Sequence, residues 1–240
     1  MADELMRLLW GPHPQPKRGP RPALSLDGIA RAGIAVADAE GLAALSMQRV
    51  AELLGKTKMS LYRYVPGRAE LVALMVETAV GAPPAPAAGD WRARLTDWAE
   101  QLFDAFVRHP WLVDATVGPR LMGPNELSWM ERALATLEDK GLDGGERLDA
   151  VVLLTSHVRG IALQSRAVGP KGPDAAGPTR VEAELIAALG RVLHEHGDAY
   201  PSVLTAVAAP AEGRDQALTF GVERILDGLD TLIARRRPAD

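Results

Sequence analysis

The sequence predicts an all-α fold, and two observations support that class. Apolar residues recur at intervals of three and four through most of the chain, which is the period of an amphipathic helix. No segment shows the alternation of apolar and polar residues that is typical of a half-buried strand. Clusters of proline and glycine separate the helical segments and predict a small domain over residues 24–80 and a larger one over residues 90–240.

The composition is that of an ordinary globular protein. Hydrophobic residues make up 47% of the 240 residues and charged residues 24%, which is close to the average for soluble domains. There is no apolar run long enough to span a membrane and no export signal, so we expect a cytoplasmic protein with no membrane partner. The chain has no cysteine, which excludes disulfides, a thiol nucleophile and cysteine-ligated zinc.

The net charge of −4 is unevenly distributed along the chain. Residues 17–72 carry nine Lys or Arg against five Asp or Glu, whereas residues 73–240 carry seventeen against twenty-four. A basic N-terminal part on an acidic body favours a polyanion as the partner of the basic part alone. Random variation of surface charge is the alternative explanation, and the two-helix pattern described below weighs against it.

Residues 1–23 are predicted to form an extended, basic, proline-rich arm. The prolines between residues 11 and 22 remove backbone donors and restrict their neighbours, so this stretch cannot be helical. Its basic residues either lie along phosphates or in a minor groove, or they only keep a disordered tail in solution. Residues 5–10 are too apolar for a simple tail and are expected to dock on an unidentified surface. The basic residues of the arm are Lys17, Arg18 and Arg21.

The small domain begins with a helix predicted over residues 25–41, followed by two short helices within residues 45–64. Ser46 can cap the first short helix because its side chain accepts from the free amides of the first turn. Gly55 ends that helix without the steric penalty that other residues carry in a left-handed conformation. The predicted apolar face of this helix consists of Met47, Val50, Ala51 and Leu54.

The second short helix has too few apolar residues to stabilise a core. Leu61 and Val65 are its only packing residues, and the other side chains point away from them. A short helix that projects basic and phenolic groups is typical of the recognition helix of a helix-turn-helix motif. A further helix is predicted over residues 68–80. The projecting residues are Lys58, Met59, Ser60, Tyr62, Arg63 and Tyr64.

The residue patterns at 41–55 and 59–71 resemble the TetR family of bacterial transcriptional regulators. This resemblance covers residues 24–80, and residues 218–229 resemble the last helix of tetracycline-repressor-like C-terminal domains. The resemblance implies a three-helix DNA-binding domain and a larger helical domain for ligand binding and dimerisation. It also implies a homodimer that binds a palindromic double-stranded DNA operator, usually as a repressor, and releases it when a small, largely apolar effector binds.

The resemblance also implies which residues contact DNA. Lys58, Met59 and Ser60 would face base edges, where a lysine can donate to guanine and Gln48 to adenine. Tyr62, Tyr64 and Arg68 would contact phosphates, and Gln48 and Met47 a base or a phosphate. Helix packing is the alternative role for Tyr62 and Met59. The full set is Met47, Gln48, Lys58, Met59, Ser60, Tyr62, Tyr64 and Arg68.

The larger domain follows a linker at residues 81–89 and is helical in pattern throughout. A second break at residues 169–178 is predicted to be a mobile loop, and Thr179 forms a capping box with Glu182 after it. The predicted helices cover residues 91–108, 125–140, 146–166, 179–196 and 214–236.

The larger domain contains a candidate ligand site rich in tryptophan. An aromatic stripe on helix 91–108 is either core or the wall of an apolar pocket. On helix 125–140 the inward residues are predicted to be Leu127, Met130, Leu134 and Leu137, so Trp129 lies off this stripe and needs a partner helix or a ligand. The predicted ligand contacts are Trp98, Leu102, Phe106, Trp129, Met130, His157, Ile161 and Gln164, with a core role as the alternative for His157.

Two helices are predicted to form a homodimer interface. Helix 146–166 is apolar on two faces, so it should be covered on both sides. Helix 214–236 carries a stripe of the kind that helix bundles bury. Two such helices from each subunit would give a four-helix interface. The stripe consists of Leu218, Val222, Ile225, Leu229 and Leu232.

The sequence does not favour an enzyme. It contains no nucleophile elbow and no phosphate-binding glycine loop. His194 and His196 diverge on a helix, so no catalytic residue, cofactor or metal site is predicted. Two alternatives stay open: an all-α enzyme or small-molecule carrier that does not bind duplex DNA, and a regulator with a filled core and no small-molecule effector.

Overall fold

The computed structural model describes residues 2–11, 24–168, 180–208 and 216–236. These residues form helices joined by turns and none lies in a strand, which confirms the predicted all-α class. Short 3-10 turns lie at Leu42–Ala44 and Gly197–Ala199. The helices are α1 (Ala2–Trp10), α2 (Leu26–Glu40), α3 (Met47–Leu53), α4 (Lys58–Tyr62), α5 (Arg68–Val80), α6 (Trp91–Arg108), α7 (Leu112–Ala115), α8 (Pro124–Thr136), α9 (Gly144–Val168), α10 (Arg180–His196), α11 (Pro201–Ala208) and α12 (Ala217–Arg236).

The helices of the N-terminal domain begin and end where local signals predict. The Ser25 hydroxyl accepts from the Gly28 amide at 3.1 Å, and the Ser46 hydroxyl accepts from the Arg49 amide at 3.1 Å. Gly55 follows α3 with a φ of 62°, a left-handed conformation that glycine adopts without steric penalty. These caps fix α2 and α3 through contacts within a few residues.

Helices α2, α3 and α5 enclose the core of this domain. Ile29, Val50 and Leu71 have no exposed surface. Helices α2 and α5 approach closely at Gly33, where a Cβ would lie 2.6 Å from the Met75 sulfur. Because residue 33 has no side chain, α2 and α5 can pack closely together at this position.

The prediction of an extended arm over residues 1–23 is wrong for residues 2–10, which form α1. This helix packs against α5, and it buries Leu8 and Leu9. The Trp10 indole nitrogen donates to the Met122 carbonyl oxygen at 3.0 Å, which ties α1 to the larger domain. The apolar side chains of α1 stabilise the helix because they are buried. The proline-rich stretch that follows gives no indication of this burial.

Several predictions fall on residues outside the described ranges. The basic residues of the arm and the loop at residues 169–178 are among them. The capping box at the start of α10 is another, since its threonine is not described. The residues concerned are Lys17, Arg18, Arg21 and Thr179.

Helix α6 is the central helix of the larger domain, and its bounds match the predicted helix. It packs against α8, α9 and α12, and the linker at residues 81–89 before it is not helical, as predicted. The aromatic stripe faces inward from α6. The buried residues of α6, α9 and α12 include Leu95, Trp98, Leu102, Phe106, Val151, Leu154, Val158, Val222, Leu226, Leu229 and Ile233.

The predicted inward stripe of the segment 125–140 is wrong at Leu127 but confirmed at Leu137, which is buried, and at Leu134, which packs against the core. Leu127 is 43% exposed, whereas Trp129, Ala133 and Leu137 are buried. Helix α8 ends at Thr136, four residues before the predicted end. The buried face of α8 is determined by its contacts with α5 and α6. The apolar pattern of one helix does not show which helices pack against it.

Within the single chain α9 is covered on one side, so the predicted cover of its other side by a second subunit stays a prediction. Helices α6, α7, α8 and α12 contact one side of α9, and they bury residues such as Leu154 and Val158. The other side presents apolar residues to solvent, with Val152 59% exposed. We call this surface the exposed stripe of α9, and its members are Leu148, Val152, Leu153 and Leu163.

Helices α7 and α11 are too short to be predicted from periodicity. Helix α10 follows the predicted segment closely, and it leaves several apolar side chains exposed, among them Leu185 and Ile186. None of the described helices combines the length and the apolar character needed to cross a membrane.

Candidate DNA-binding surface and ligand cavity

Helix α4 is anchored to the N-terminal domain by Leu61 and by Val65, which lies just after the end of the helix. Leu61 and Val65 are fully buried, as the sequence predicts. The Thr57 hydroxyl accepts from the Ser60 amide at 3.3 Å and caps the helix. Because only two side chains anchor α4, the rest of this short helix is presented to the outside of the domain.

The exposed side of α4 carries basic, phenolic and apolar groups. Met59 is 72% exposed, and Lys58, Tyr62 and Tyr64 are also exposed. The Lys58 ammonium lies 5.6 Å from the centre of the Tyr62 ring, a distance at which a cation–π attraction holds the two side chains together. The structure does not bury Tyr62 or Met59 in the core, so the packing alternative for these residues is not supported.

Two polar residues predicted to contact DNA are engaged within the protein. The Gln48 amide nitrogen donates to the Glu52 carboxylate at 2.8 Å. The Ser60 hydroxyl lies 2.7 Å from the Thr57 hydroxyl. Both side chains lie at the surface, and each has a hydrogen-bonding group beyond this internal contact that can reach DNA.

The structure changes the expected roles of Met47 and Arg68. Met47 is buried, so its side chain cannot reach a base or a phosphate, and this part of the prediction is wrong. Its position on the apolar face of α3 is the reason, because that face packs into the domain core. The Arg68 guanidinium donates to the Leu45 carbonyl at 2.9 Å and to the Leu42 carbonyl at 2.8 Å, which fixes the turn before α3.

A cavity of about 320 Å³ lies in the larger domain between α6, α8, α9 and the segment that contains α7. Five of the eight predicted ligand contacts line it. The walls are mostly apolar and aromatic, which is typical of sites that hold small molecules. The five predicted residues on the wall are Trp98, Leu102, Phe106, Trp129 and Met130.

The other three predicted ligand contacts lie away from the cavity. The His157 Nε2 atom donates to the Leu218 carbonyl oxygen at 3.1 Å, so this side chain faces α12. Gln164 is exposed, and Ile161 does not line the cavity. The prediction for these residues is wrong because the face of α9 that contacts the cavity is the one that carries Val151 and Thr155.

Trp98 and Trp129 are part of both the core and the cavity wall. Their rings meet edge to face, with centres 6.1 Å apart and planes at 63°. The Trp98 indole donates to the Trp129 carbonyl at 3.0 Å, and the Trp129 indole donates to the Gly81 carbonyl at 3.0 Å. The two tryptophans therefore link α6 to α8, and α8 to the end of α5, beside the space where a ligand would lie.

Three charged residues on the wall were not predicted. Arg120 forms an ion pair with Glu126, with one contact at 2.5 Å. Arg159 lies on α9 and is partly buried, and its desolvation, together with the nearby charge of Arg120, lowers its pKa from the usual value. Val151, Thr155 and Arg159 are spaced four residues apart and therefore lie on one helix face. This spacing was a sequence signal that could have identified Arg159. No sequence signal placed Arg120 in the cavity.

Glu77 connects the N-terminal domain to the wall of the cavity. Its carboxylate accepts from the Asn125 amide at 2.7 Å, and its backbone carbonyl accepts from the Asn125 side chain at 2.9 Å. It therefore caps α8, the helix that contributes Glu126, Trp129 and Met130 to the cavity. Burial is the main cause of a raised pKa for Glu77, partly offset by the backbone donors of α8.

The raised pKa of Glu77 gives a pH-dependent prediction. When the pKa of a carboxyl group is higher in the folded than in the unfolded state, the folded protein loses stability as the pH rises through that higher pKa. The Glu77→Gln variant stays neutral and keeps an acceptor for the Asn125 amide. Its free energy of unfolding, relative to the wild type, should therefore rise as the pH increases from about 4 to 7.

Urea unfolding at a series of pH values measures this difference. Glu131→Gln, on the exposed side of α8, controls for the loss of one acidic side chain from the same helix. A difference between wild type and Glu77→Gln that stays flat or falls with rising pH would contradict the prediction.

Within the described residues, no three His, Asp or Glu side chains are grouped so that they could hold a metal ion.

Known proteins match almost the whole length of the chain. Residues 83–233 match the family described as tetracyclin repressor-like, C-terminal domain. The HTH-type transcriptional repressor DrrR1 of Streptomyces coeruleorubidus is 36% identical over 244 residues, which covers 97% of this chain and 87% of that protein. An HTH-type transcriptional regulator of Saccharopolyspora erythraea is 25% identical over 220 residues, covering 90% of this chain and 89% of that protein.

A solved structure shows the same arrangement of helices. The TetR family protein ActR of Streptomyces coelicolor, in complex with actinorhodin, aligns with a TM-score of 0.69 and 26% sequence identity. The alignment covers 86% of this chain and 95% of that chain.

Proposed function

Because the chain belongs to the TetR family of transcriptional regulators, we propose that it binds a palindromic operator as a homodimer through α4. The protein is a ligand-responsive DNA-binding repressor and not an enzyme. The observation that carries the detailed proposal is the placement of α4, which two residues anchor and whose remaining side chains face outward. We assign residues 24–80 to DNA binding and residues 90–240 to effector binding and dimerisation.

The exposed groups of α4 suit the major groove of DNA. Lys58 on α4 can donate to guanine, and Gln48 on the neighbouring α3 can donate to adenine with the N–H that does not bind Glu52. Tyr62 and Tyr64 can donate from their hydroxyls to phosphate oxygens. The basic excess of residues 17–72 supports the same partner, because neutralised phosphates supply much of the affinity of such complexes.

The exposed stripe of α9 supports a homodimer. Apolar side chains in this number on one helix face are unfavourable in water. The adjacent helix α12 exposes Phe220 and leaves Ile225 and Leu232 half-buried, so it can extend the same interface. Obligate interfaces bury more than about 2,000 Å² and are apolar at their centre, which this pair of helices can supply.

The cavity supports a small-molecule effector over a regulator without one. It borders α8, and Glu77 joins α8 to the helix that follows the recognition helix. A ligand that binds more tightly when α8 is displaced would favour a dimer with a different spacing of its two α4 helices. The relative ActR was solved with actinorhodin, which supports an effector role for the corresponding region here.

A chromosomal operator implies that the protein acts in the cytoplasm, and we propose that location. Capture of genomic fragments by the purified protein, followed by sequencing, tests the function as a whole. We expect enriched fragments that share a palindrome with half-sites about 10–10.5 base pairs apart or a multiple of that spacing. The absence of any enriched sequence would contradict the proposal.

Two substitutions test the contacts of α4. Lys58→Ala and Tyr62→Phe should each weaken operator binding by roughly 5- to 100-fold, because each removes a donor that one DNA contact uses. Gel-shift titrations at fixed salt measure the effect. Lys140→Ala and Tyr200→Phe remove the same groups from the larger domain and should leave affinity unchanged. If all four variants bind the operator with equal affinity, α4 is not the DNA-binding element.

A further inference from the structure

We propose that the effector is an aromatic molecule that carries an acidic group, and that this group binds Arg159. The inference rests on the proposed function and adds the charge of the ligand to it. Three features of the cavity carry it: the shape and composition of its walls, its balance of charge and the hydrogen-bonding state of its polar groups.

The size and walls of the cavity fit an aromatic body. Its volume of about 320 Å³ lies at the lower end of the range for sites that enclose drug-sized molecules. Trp98, Phe106 and Trp129 form much of the surface, with Leu102 and Met130 between them. Flat rings offset-stack or meet edge to face with such side chains, so an aromatic ligand gains more contact here than a branched aliphatic one.

The charges on the wall do not cancel. The lining includes Arg120, Glu126 and Arg159 and no other charged residue among those described. Arg120 and Glu126 neutralise each other through a two-point ion pair. Arg159 has no acidic partner within the part of the chain that the structure describes, and a guanidinium stays protonated in a protein even when burial lowers its pKa. The cavity therefore has an excess of one positive charge.

The hydrogen bonds of Arg159 are also incomplete. One terminal nitrogen lies 3.4 Å from the Thr116 carbonyl and 3.4 Å from its hydroxyl, both long contacts. The buried Nε atom has no hydrogen-bond partner among the described residues. The guanidinium lies 5.9 Å from the centre of the Phe106 ring, which compensates part of the charge. A partly buried charge with incomplete hydrogen bonds is costly, and a carboxylate or sulfonate in the cavity would supply acceptors that the guanidinium lacks.

Other polar groups on the wall are already committed. Both indole nitrogens donate to backbone carbonyls. The hydroxyls of Thr116 and Thr155 donate to carbonyls of their own helices at 2.7 and 2.8 Å. The side-chain donors left for an acceptor on a ligand are therefore those of Arg159 and the N–H groups of Arg120 outside its ion pair. Of these two residues only Arg159 has an uncompensated charge, whereas a cationic ligand would find only Glu126, which Arg120 already neutralises.

A matched pair of dyes tests the charge of the ligand on the full-length protein. 1-Anilinonaphthalene-8-sulfonate and N-phenyl-1-naphthylamine share an aromatic body and differ by one sulfonate. Affinities are measured by dye fluorescence and by quenching of the protein's tryptophans. Arg159→Met should weaken sulfonate binding by roughly 10- to 100-fold, the range for hydrogen bonds to a charged group, and should change binding of the neutral dye by less than about twofold.

Two further variants sharpen the result. Arg166→Met removes the same side chain two turns along α9, where it pairs with Asp114 outside the cavity, and should affect neither dye. Arg159→Lys keeps the charge and should retain part of the preference for the sulfonate. Anthraquinone-2-carboxylate and its carboxamide repeat the comparison with a different aromatic body.

The proposal is overturned if Arg159→Met weakens both members of a pair equally. It is also overturned if neither acidic probe binds with quenching of tryptophan, or if the acidic probes bind Arg159→Met as tightly as the wild type. Failure of the proposed function can be distinguished from failure of this proposal. In that case the wild-type protein captures no operator, while the dye measurements remain interpretable.

Discussion

Val152→Asp is expected to convert the protein into a monomer and to reduce operator affinity by at least about 100-fold. Val152 lies in the exposed stripe of α9 and is the most exposed of its four residues. In a two-fold symmetric interface the substitution introduces two carboxylates, one from each subunit, into an apolar contact. Desolvation of each charge, without a basic partner, costs several kcal/mol per ion.

Loss of the dimer acts on DNA binding through avidity. A dimer holds two recognition helices on one palindrome, and linking two modules in this way raises affinity by roughly 10²–10⁴ over that of a single one. Size-exclusion chromatography with light scattering gives the mass, and a gel shift gives the operator affinity. Val107→Asp, at a similarly exposed valine on α6, is the control and should leave both unchanged. A Val152→Asp protein that remains a dimer would place the interface elsewhere.

Trp129→Ala is expected to lower the free energy of unfolding by about 3–5 kcal/mol, the usual range for truncation of a buried tryptophan. The loss combines several contacts. Trp129 is buried, meets Trp98 edge to face and donates to the Gly81 carbonyl. The space left behind would join the existing cavity of about 320 Å³, so neighbouring side chains cannot easily fill it.

Urea unfolding at a fixed protein concentration measures this loss. Trp129→Phe keeps most of the ring but removes the indole donor, and it should cost roughly 1–3 kcal/mol, because the Gly81 carbonyl is left without that partner. Trp10→Ala, at a half-exposed tryptophan, controls for loss of an indole from a less buried position and should cost less than Trp129→Ala. A Trp129→Ala protein as stable as the wild type would mean that the side chain is not part of the core.

The N-terminal domain was predictable in detail because its signals are local. Ser46 accepts from an amide three residues away, as predicted, and Gly55 takes the left-handed conformation that ends α3. Leu61 and Val65 are buried as the pattern of α4 requires. Each of these features depends on residues within one or two turns, so the chain contains the necessary information in short stretches.

The larger domain was predictable in its helices but not in the direction that each helix faces. Trp129, and not Leu127, points into the core, and His157 faces α12 instead of the cavity. Arg159 lines the cavity although no motif marks it. Residues 2–10 form α1, which packs against α5 and buries Leu8 and Leu9. The two helices are separated by more than fifty residues of chain.

The sequence by itself determined the all-α class, most helix bounds, the two-helix unit with its exposed basic and phenolic groups, and the resemblance to a family of repressors. Only the tertiary structure decided that Met47 is buried, that Arg68 holds a turn, and that an unpaired Arg159 faces an aromatic cavity. The physical reason is range. Capping and helical periodicity depend on neighbours in sequence, whereas the burial of a side chain, the charge of a cavity and the partners of a guanidinium depend on which helices pack together.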